Sequence, residues 1–282
     1  MVDTKIKSLF GILFDYLIRN LSLHFMSSWV SLYYSYNKKM ILSIANCVFF
    51  LGMVYINYLA NAKPINGYST GAISDRYPNL FTPAGLTFSI WGVIYLLLLA
   101  FLVLQFTKYG EDVVEIVNWI FIPSCIFNGI WIFAWHYLKV FLSLVIMLCL
   151  LGTLIYLNMQ FVEKDYSIAK IVFGMYLGWI CIATIANVTC LLVDYQWKAW
   201  GISPTVWTIL VIIVGATIAT VTVKRLKNSF IAASVVWAFL GIVIKRSKDN
   251  TPITITAILG MIVVGGLSVM FHLKKQPEWL DC

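Results

Sequence analysis

Hydrophobic and polar positions along this chain are segregated into blocks instead of alternating at short period. Apolar runs near 41–60, 85–107, 116–136, 140–161, 170–193, 205–223, 229–244 and 252–272 are separated by short polar clusters. Each run approaches the roughly 20 residues that a helix needs to cross a hydrocarbon core. Unpaired backbone groups are costly in lipid, so a spanning segment is a helix or part of a closed barrel, and unbroken apolar runs fit helices where alternating ones would fit barrel strands. The pattern predicts an all-α polytopic membrane helix bundle of about eight transmembrane helices. Short connections set sequential helices side by side in antiparallel pairs.

Two stretches break the rhythm. Residues 1–39 are apolar enough to seek a membrane yet carry Asp15, Arg19, Asn20 and His24, and charge at mid-depth is costly. An interfacial amphipathic helix is the expectation, preferred to a ninth span. The stretch "NAKPINGYSTGAISDRYPNLFTPA" (61–84) is the longest connection and is rich in turn-forming residues. Its length predicts a lid over one end of the bundle, with a plain surface loop as the alternative.

Composition agrees with the pattern: 61% of the 282 residues are hydrophobic and 11% charged, against about 25% charged in a soluble domain. The net charge of +8 does not point to nucleic acid, because the basic residues sit in clusters between spans and report topology. With eight spans, thirteen of the 20 Lys and Arg fall on the side of the termini and seven on the other, so both termini are expected in the cytoplasm. Five of the six cysteines lie inside apolar runs with no CxxC or Cys/His ligand spacing, and read as small core residues.

Ionisable groups are nearly absent from the spans; His136 and His272, near helix ends, come closest. That argues against a proton relay, and it removes the paired carboxylates, Ser/His/Asp sets and metal cages of hydrolytic chemistry. Aromatic and amide groups at helical spacing remain. Asn128, Trp131 and Trp135 share one helix face, Trp179, Ala183 and Asn187 share another, and Trp91 and Tyr95 are one turn apart. Trp119, Trp197, Trp200, Trp207 and Trp279 lie near span ends and suit the interfacial belt. Trp131 and Trp179 lie deeper. Their N–H groups and the amides of Asn128 and Asn187 need partners, which either a ligand pocket or interhelical bonding supplies; spacing alone favours neither.

The three stripes sit in motifs with a family resemblance. "TPAGLTFSIWGVIY" (82–95), "NGIWIFAWH" (128–136) and "YLGWICIATIAN" (176–187) resemble, in order, the helix-two, helix-three and helix-five signatures of the TspO/MBR family of tryptophan-rich sensory, or translocator, proteins. The likeness is to a larger, eight-helix branch. Thr82 stands where the first of a proline pair is usual, Ser89 where another proline is usual, and the lid lacks an expected Trp pair. The resemblance implies a TspO-like five-helix core over 40–200, preceded by the 1–39 extension and followed over 201–282 by three additional helices and a short cytoplasmic tail.

It also implies a function: a receptor or carrier binding a porphyrin or another flat hydrophobic molecule in a pocket closed by the first loop. Carried over, the pocket is bordered by Pro83, Trp91, Tyr95, Asn128, Trp131, Trp135, Trp179, Ala183 and Asn187, with Ala183 admitting a flat ring close to the backbone. Pro83 and Gly85 would turn the lid into the helix, leaving the following leucines to face lipid. No cofactor is required, a bound porphyrin or haem being the candidate group. The expected partners are the bilayer and a small hydrophobic ligand, and homodimerisation is left open. An uncoupled transporter of a small hydrophobic or amphipathic substrate is the alternative, favoured by Gly215, Gly260, Gly265 and Gly266 as sites of close helix contact. An enzyme is not expected, porphyrin breakdown being the one catalytic reading considered. "VDYQWK" (193–198) fits a weak sterol-contact pattern that a helix-end aromatic belt explains equally well.

Overall fold

The structure is a computed structural model and describes Tyr33 and residues 37–63, 65–108, 110–164 and 167–273. The interfacial helix expected over 1–39 and the tail after 273 therefore lie outside the described residues, apart from Tyr33 and the 37–39 turn. Described elements are all helical. The first long helix, α1, is Asn37–Ala62. After it come a 3-10 turn, Ile65–Gly67, and the short α2, Thr70–Asp75, both within the lid. A second 3-10 turn, Gly85–Ser89, leads into α3, Ile90–Leu104; α4 is Glu111–Val117 and runs through a 3-10 turn into α5, Phe121–His136. Then follow α6 (Val140–Met159), α7 (Ser167–Asp194), α8 (Pro204–Leu226), α9 (Phe230–Arg246) and α10 (Thr251–Leu273).

Among the described residues, seven helices are long and apolar enough to cross a membrane: Asn37–Ala62, Gly85–Leu104, Asp112–His136, Val140–Met159, Ser167–Asp194, Pro204–Leu226 and Thr251–Leu273. The chain is thus a multi-pass membrane bundle. The remaining long helix, α9, has 17 residues, about 26 Å at 1.5 Å per residue, just short of a core roughly 30 Å thick.

Local chemistry places the boundaries. Ser203 caps α8, its hydroxyl accepting from Val206 N at 3.4 Å with Pro204 at the first helical position, while Lys227 ends the helix in a left-handed conformation. Asn118 takes a positive φ of 45° at the α4–α5 joint, and Asn250 opens α10 by accepting from Ile253 N at 3.2 Å.

α7 is the central helix, packed against α3, α6, α8 and α9, and α9 lies between α7 and α10. Close approach of α7 to α9 depends on a missing side chain, since a Cβ at Gly178 would collide with the Ile231 carbonyl. Ser234 Oγ donates to Met175 O at 2.7 Å across the same seam. On α9, Ile231, Val235, Ala238, Phe239 and Ile242 are all buried, and the Phe239 ring rests on Gly215 of α8 and Gly260 of α10. Gly266, by contrast, meets nothing. The leucines after Trp91 do not all face lipid, which corrects that expectation. Leu96 and Leu99 are exposed while Leu98 and Leu102 are buried with Ile94 and Phe101, because α3 packs one face on α7 and only the other is left for acyl chains.

Candidate ligand-binding site

The lid is an ordered, tethered structure. Its α2 is capped by Ser69, whose hydroxyl accepts from Ala72 N at 3.2 Å, and Ile73 and Phe81 are fully buried beneath it. The C-terminal end of α5 latches the first half. His136 is 0% exposed, its Nδ1 lies 3.0 Å from Ile65 O and its Nε2 3.1 Å from Thr70 Oγ1, and Asn66 Nδ2 donates to the His136 carbonyl at 3.0 Å. Trp135 Nε1 donates to Thr70 O at 3.2 Å. In sequence His136 stands out only as a lone histidine at a helix end; here it is a lid anchor.

The second half of the lid is held by α9. Arg246 Nε donates to Leu80 O at 3.1 Å and its Nη2 to Asn79 O at 3.0 Å, while Nη1 pairs with Asp249 at 2.9 Å. Ala84 N donates to Gly241 O at 3.0 Å, and Trp237 Nε1 donates to Thr87 O at 2.9 Å. A Cβ at Gly241 would collide with Thr87 Oγ1 and crowd Pro83. No periodicity in the sequence signals these bonds, because most of their acceptors are backbone carbonyls.

Under the lid the aromatic stripes meet. Trp91 stacks on Tyr95 with ring centroids 5.6 Å apart, and stands edge-on to Trp179 and to Tyr176 at 6.1 Å each. Trp131 stacks on Trp135 at 5.6 Å, and Phe88 meets Trp179 edge-on at 6.1 Å. Between them is a narrow chamber of about 50 Å³, walled by Pro83, Trp91, Trp131, Trp135, Trp179, Ala183 and Asn187. On the other side of Trp91 and Trp131 opens a cavity of about 520 Å³ that includes Tyr95, Asn57, Tyr58 and Gly85 in its wall. Thr70, Phe88, Trp91 and Trp131 belong to both.

Seven of the nine residues singled out from the sequence therefore line one chamber, and Tyr95 lines its neighbour. Asn128 lines neither. It accepts from Asn57 Nδ2 at 2.8 Å and donates to the Tyr176 hydroxyl at 3.0 Å, so its amide is spent joining α1, α5 and α7. Asn187 is bonded to Ser143 of α6 at 3.2 Å while also facing the chamber. Phe88, Thr70, Ser74 and Thr82 also line it, with Ile182, Ala186 and Cys190 of α7. Phe88, one turn before Trp91, was legible by spacing; the lid residues carried no such signal.

Three polar groups around these spaces are buried and have no hydrogen-bond partner among the described residues: Trp131 Nε1, Trp179 Nε1 and the Tyr95 hydroxyl. A buried donor left unmade costs about 1–3 kcal/mol. Among the described residues no group of three His, Cys, Asp or Glu side chains could hold a metal.

These features define a class, a polytopic membrane bundle with an aromatic chamber under a tethered lid. The sequence model of the TSPO-like protein family matches residues 43–270, and the chain belongs to that family. The match extends past residue 200 and takes in α8, α9 and most of α10. No curated protein and no solved structure matches the chain.

Proposed function

We propose that this chain is a membrane receptor or carrier of the TspO type that holds a porphyrin, haem or another flat hydrophobic molecule beneath its lid. The ring occupies the 520 Å³ cavity against Trp91, Tyr95 and Trp131, and one edge enters the chamber toward Trp179, Ala183 and Asn187. The larger space is within the roughly 300–1,000 Å³ usual for small-molecule sites, whereas 50 Å³ alone admits no macrocycle. The observation that carries the reading is the pair of buried indole N–H groups, Trp131 and Trp179, left without an acceptor among the described residues. A ligand bearing carbonyl, carboxylate or ring-nitrogen acceptors relieves that cost, and aromatic faces supply the stacking surface. Pro83 and Trp135 form the roof through the lid.

In this reading residues 40–200 carry the pocket, and α9, within 201–282, holds the second half of its lid. α9, the seventh in chain order, brings the crossings to eight, which leaves both termini in the cytoplasm and the lid on the opposite face. The test is porphyrin quenching of tryptophan fluorescence in the purified chain. Trp131→Phe removes one donor and weakens binding about fivefold, from about 1 kcal/mol for a hydrogen bond, and Ala183→Leu obstructs the chamber and weakens it at least tenfold. Unchanged affinity in both variants rejects the pocket.

One observation favours the alternative of uncoupled transport. Ser74 and Thr82 belong both to the chamber and to a third cavity, so the chamber is a narrow neck between two wider spaces. Flux of labelled porphyrin across proteoliposomes separates a carrier from a static binder.

A further inference from the structure

The third cavity, about 750 Å³, lies between the second half of the lid, the end of α7, the start of α8 and the end of α9. It depends on two helices beyond the region that carries the aromatic stripes, and the porphyrin-binding reading above does not rest on it. Its walls are mainly apolar, from Phe81, Leu192, Val193 and Val211, with Trp197 and Trp207 in mutual edge contact at 4.8 Å along one side. Its charged lining is Asp75, Lys245 and Arg246.

The two cations differ in what they leave free. Arg246 is committed to two lid carbonyls and Asp249. Lys245 Nζ is held loosely, 3.9 Å from Asp75 Oδ1 and 3.5 Å from Pro83 O, and the Asp75 side chain is 74% exposed and so largely solvated. An ammonium with such distant partners retains donors for an incoming anion.

Depth fixes the rest of the chemistry. Three helix ends meet here, and the neighbouring Trp200 is 82% exposed, so the charged rim is at the level of lipid headgroups while the apolar walls run inward along α7 and α8. A molecule that satisfies both has an anionic head and a hydrocarbon body. We propose that this cavity binds a single-chain anionic amphiphile, its carboxylate or phosphate on Lys245 and its acyl chain along Trp197 and Trp207 between α7 and α8. The volume suits one chain; a two-chain lipid would leave a chain outside.

The test uses the full chain in nanodiscs of zwitterionic lipid, titrated with bromostearic acid, its methyl ester and a brominated lysophosphatidic acid while tryptophan fluorescence is followed. Saturable quenching by either anion, lost in part with Trp207→Phe and absent with the ester, is expected, and whichever anion binds more tightly identifies the source of the headgroup. Lys245→Gln weakens binding about tenfold, the equivalent of one charge-assisted hydrogen bond. Asp75→Asn strengthens it severalfold by freeing the lysine, and Val211→Phe abolishes it by filling the cavity without touching charge. Equal quenching by acid and ester, an unchanged affinity in Lys245→Gln, or saturable binding that survives Val211→Phe overturns the proposal. Should Lys245→Gln not yield a monodisperse protein, the Asp75 and Val211 variants decide. Ala183→Leu leaves amphiphile binding intact, so failure here and failure of the porphyrin pocket are told apart.

Discussion

Replacing Arg246 by Met removes the guanidinium beneath the lid but keeps most of the apolar stem that fills the same space. The side chain is 10% exposed and donates to Leu80 O at 3.1 Å and Asn79 O at 3.0 Å. Hydrogen bonds from charged donors are worth about 1.5–3 kcal/mol each, and the low end applies because both carbonyls can turn to water once the lid lifts. Two such bonds give about 3 kcal/mol of lid docking, roughly a hundredfold in the ratio of closed to open lid. The cost is local, since the helix seams of α7 with α6 and α9 use none of these groups. Hydrogen exchange read by mass spectrometry should therefore accelerate about a hundredfold at Thr82 and Ala84, whose N–H groups are bonded to Asn79 Oδ1 and Gly241 O in the closed lid. Amides in the middle of α7 should keep their protection. Arg246→Lys restores only part, because a single ammonium cannot reach both carbonyls and Asp249 with the guanidinium's fixed geometry. Unchanged exchange at 77–84, or equal acceleration in α7, refutes the assignment of Arg246 as the lid clamp.

Two glycines should answer oppositely to the same change: Gly241→Ala lowers the thermal midpoint by forcing α9 from Thr87 and Pro83, a strain of about 1–3 kcal/mol, whereas Gly266→Ala, with open space around it, is neutral or stabilising by up to about 1 kcal/mol. Asn128→Ala should lower the thermal midpoint, since Asn57 and Tyr176 lose their shared partner, yet leave porphyrin affinity within about twofold. A loss of affinity as large as that of Ala183→Leu would return Asn128 to the pocket. Asn228→Ala should destabilise by about 1–3 kcal/mol, because Asn158 Oδ1, the Lys170 carbonyl and Phe230 N all bond to that one side chain.

What the sequence discloses about this fold follows from which interactions have a period. The apolar runs are legible because lipid acts on every residue of a span alike, and seven of them are helices of spanning length. Trp131 and Trp179 are legible as inward-facing because an indole N–H is poorly served by acyl chains. Asn128 obeys the same helical spacing as Trp131 and still ends in an interhelical bond, since spacing fixes the face of a helix and not the neighbour that waits there. Arg246 shows the stronger limit: beside Lys245 at a span end it reads as a topological charge, and its contacts to carbonyls 166 and 167 positions away leave no mark in local pattern. The 17 residues of α9 are similarly deceptive, because a helix short for the bilayer is nonetheless enclosed by α7, α8 and α10.

The two tethers divide the lid into halves that serve different spaces. Ser69, Thr70 and Gly71 wall the 520 Å³ cavity and are held down through His136 and Trp135 of α5, whereas Asp75 and the run from Tyr77 to Thr82 wall the 750 Å³ cavity and are held by Arg246 of α9. Breaking one tether need not release the other, since no bond of the first is shared with the second. Asn66→Ala, which loses the bond to the His136 carbonyl and sets an alanine at a φ of 56°, should raise exchange at 66–73 by at least about fivefold, from about 1 kcal/mol for a neutral hydrogen bond plus the left-handed strain, and leave 77–84 protected. Arg246→Met should give the reverse profile. If either variant opens both halves together, the lid moves as one rigid cover, and the two cavities can exchange ligand with solvent only in concert; if each opens its own half, the Trp91–Trp131–Trp179 neck is the sole barrier between two independently gated spaces.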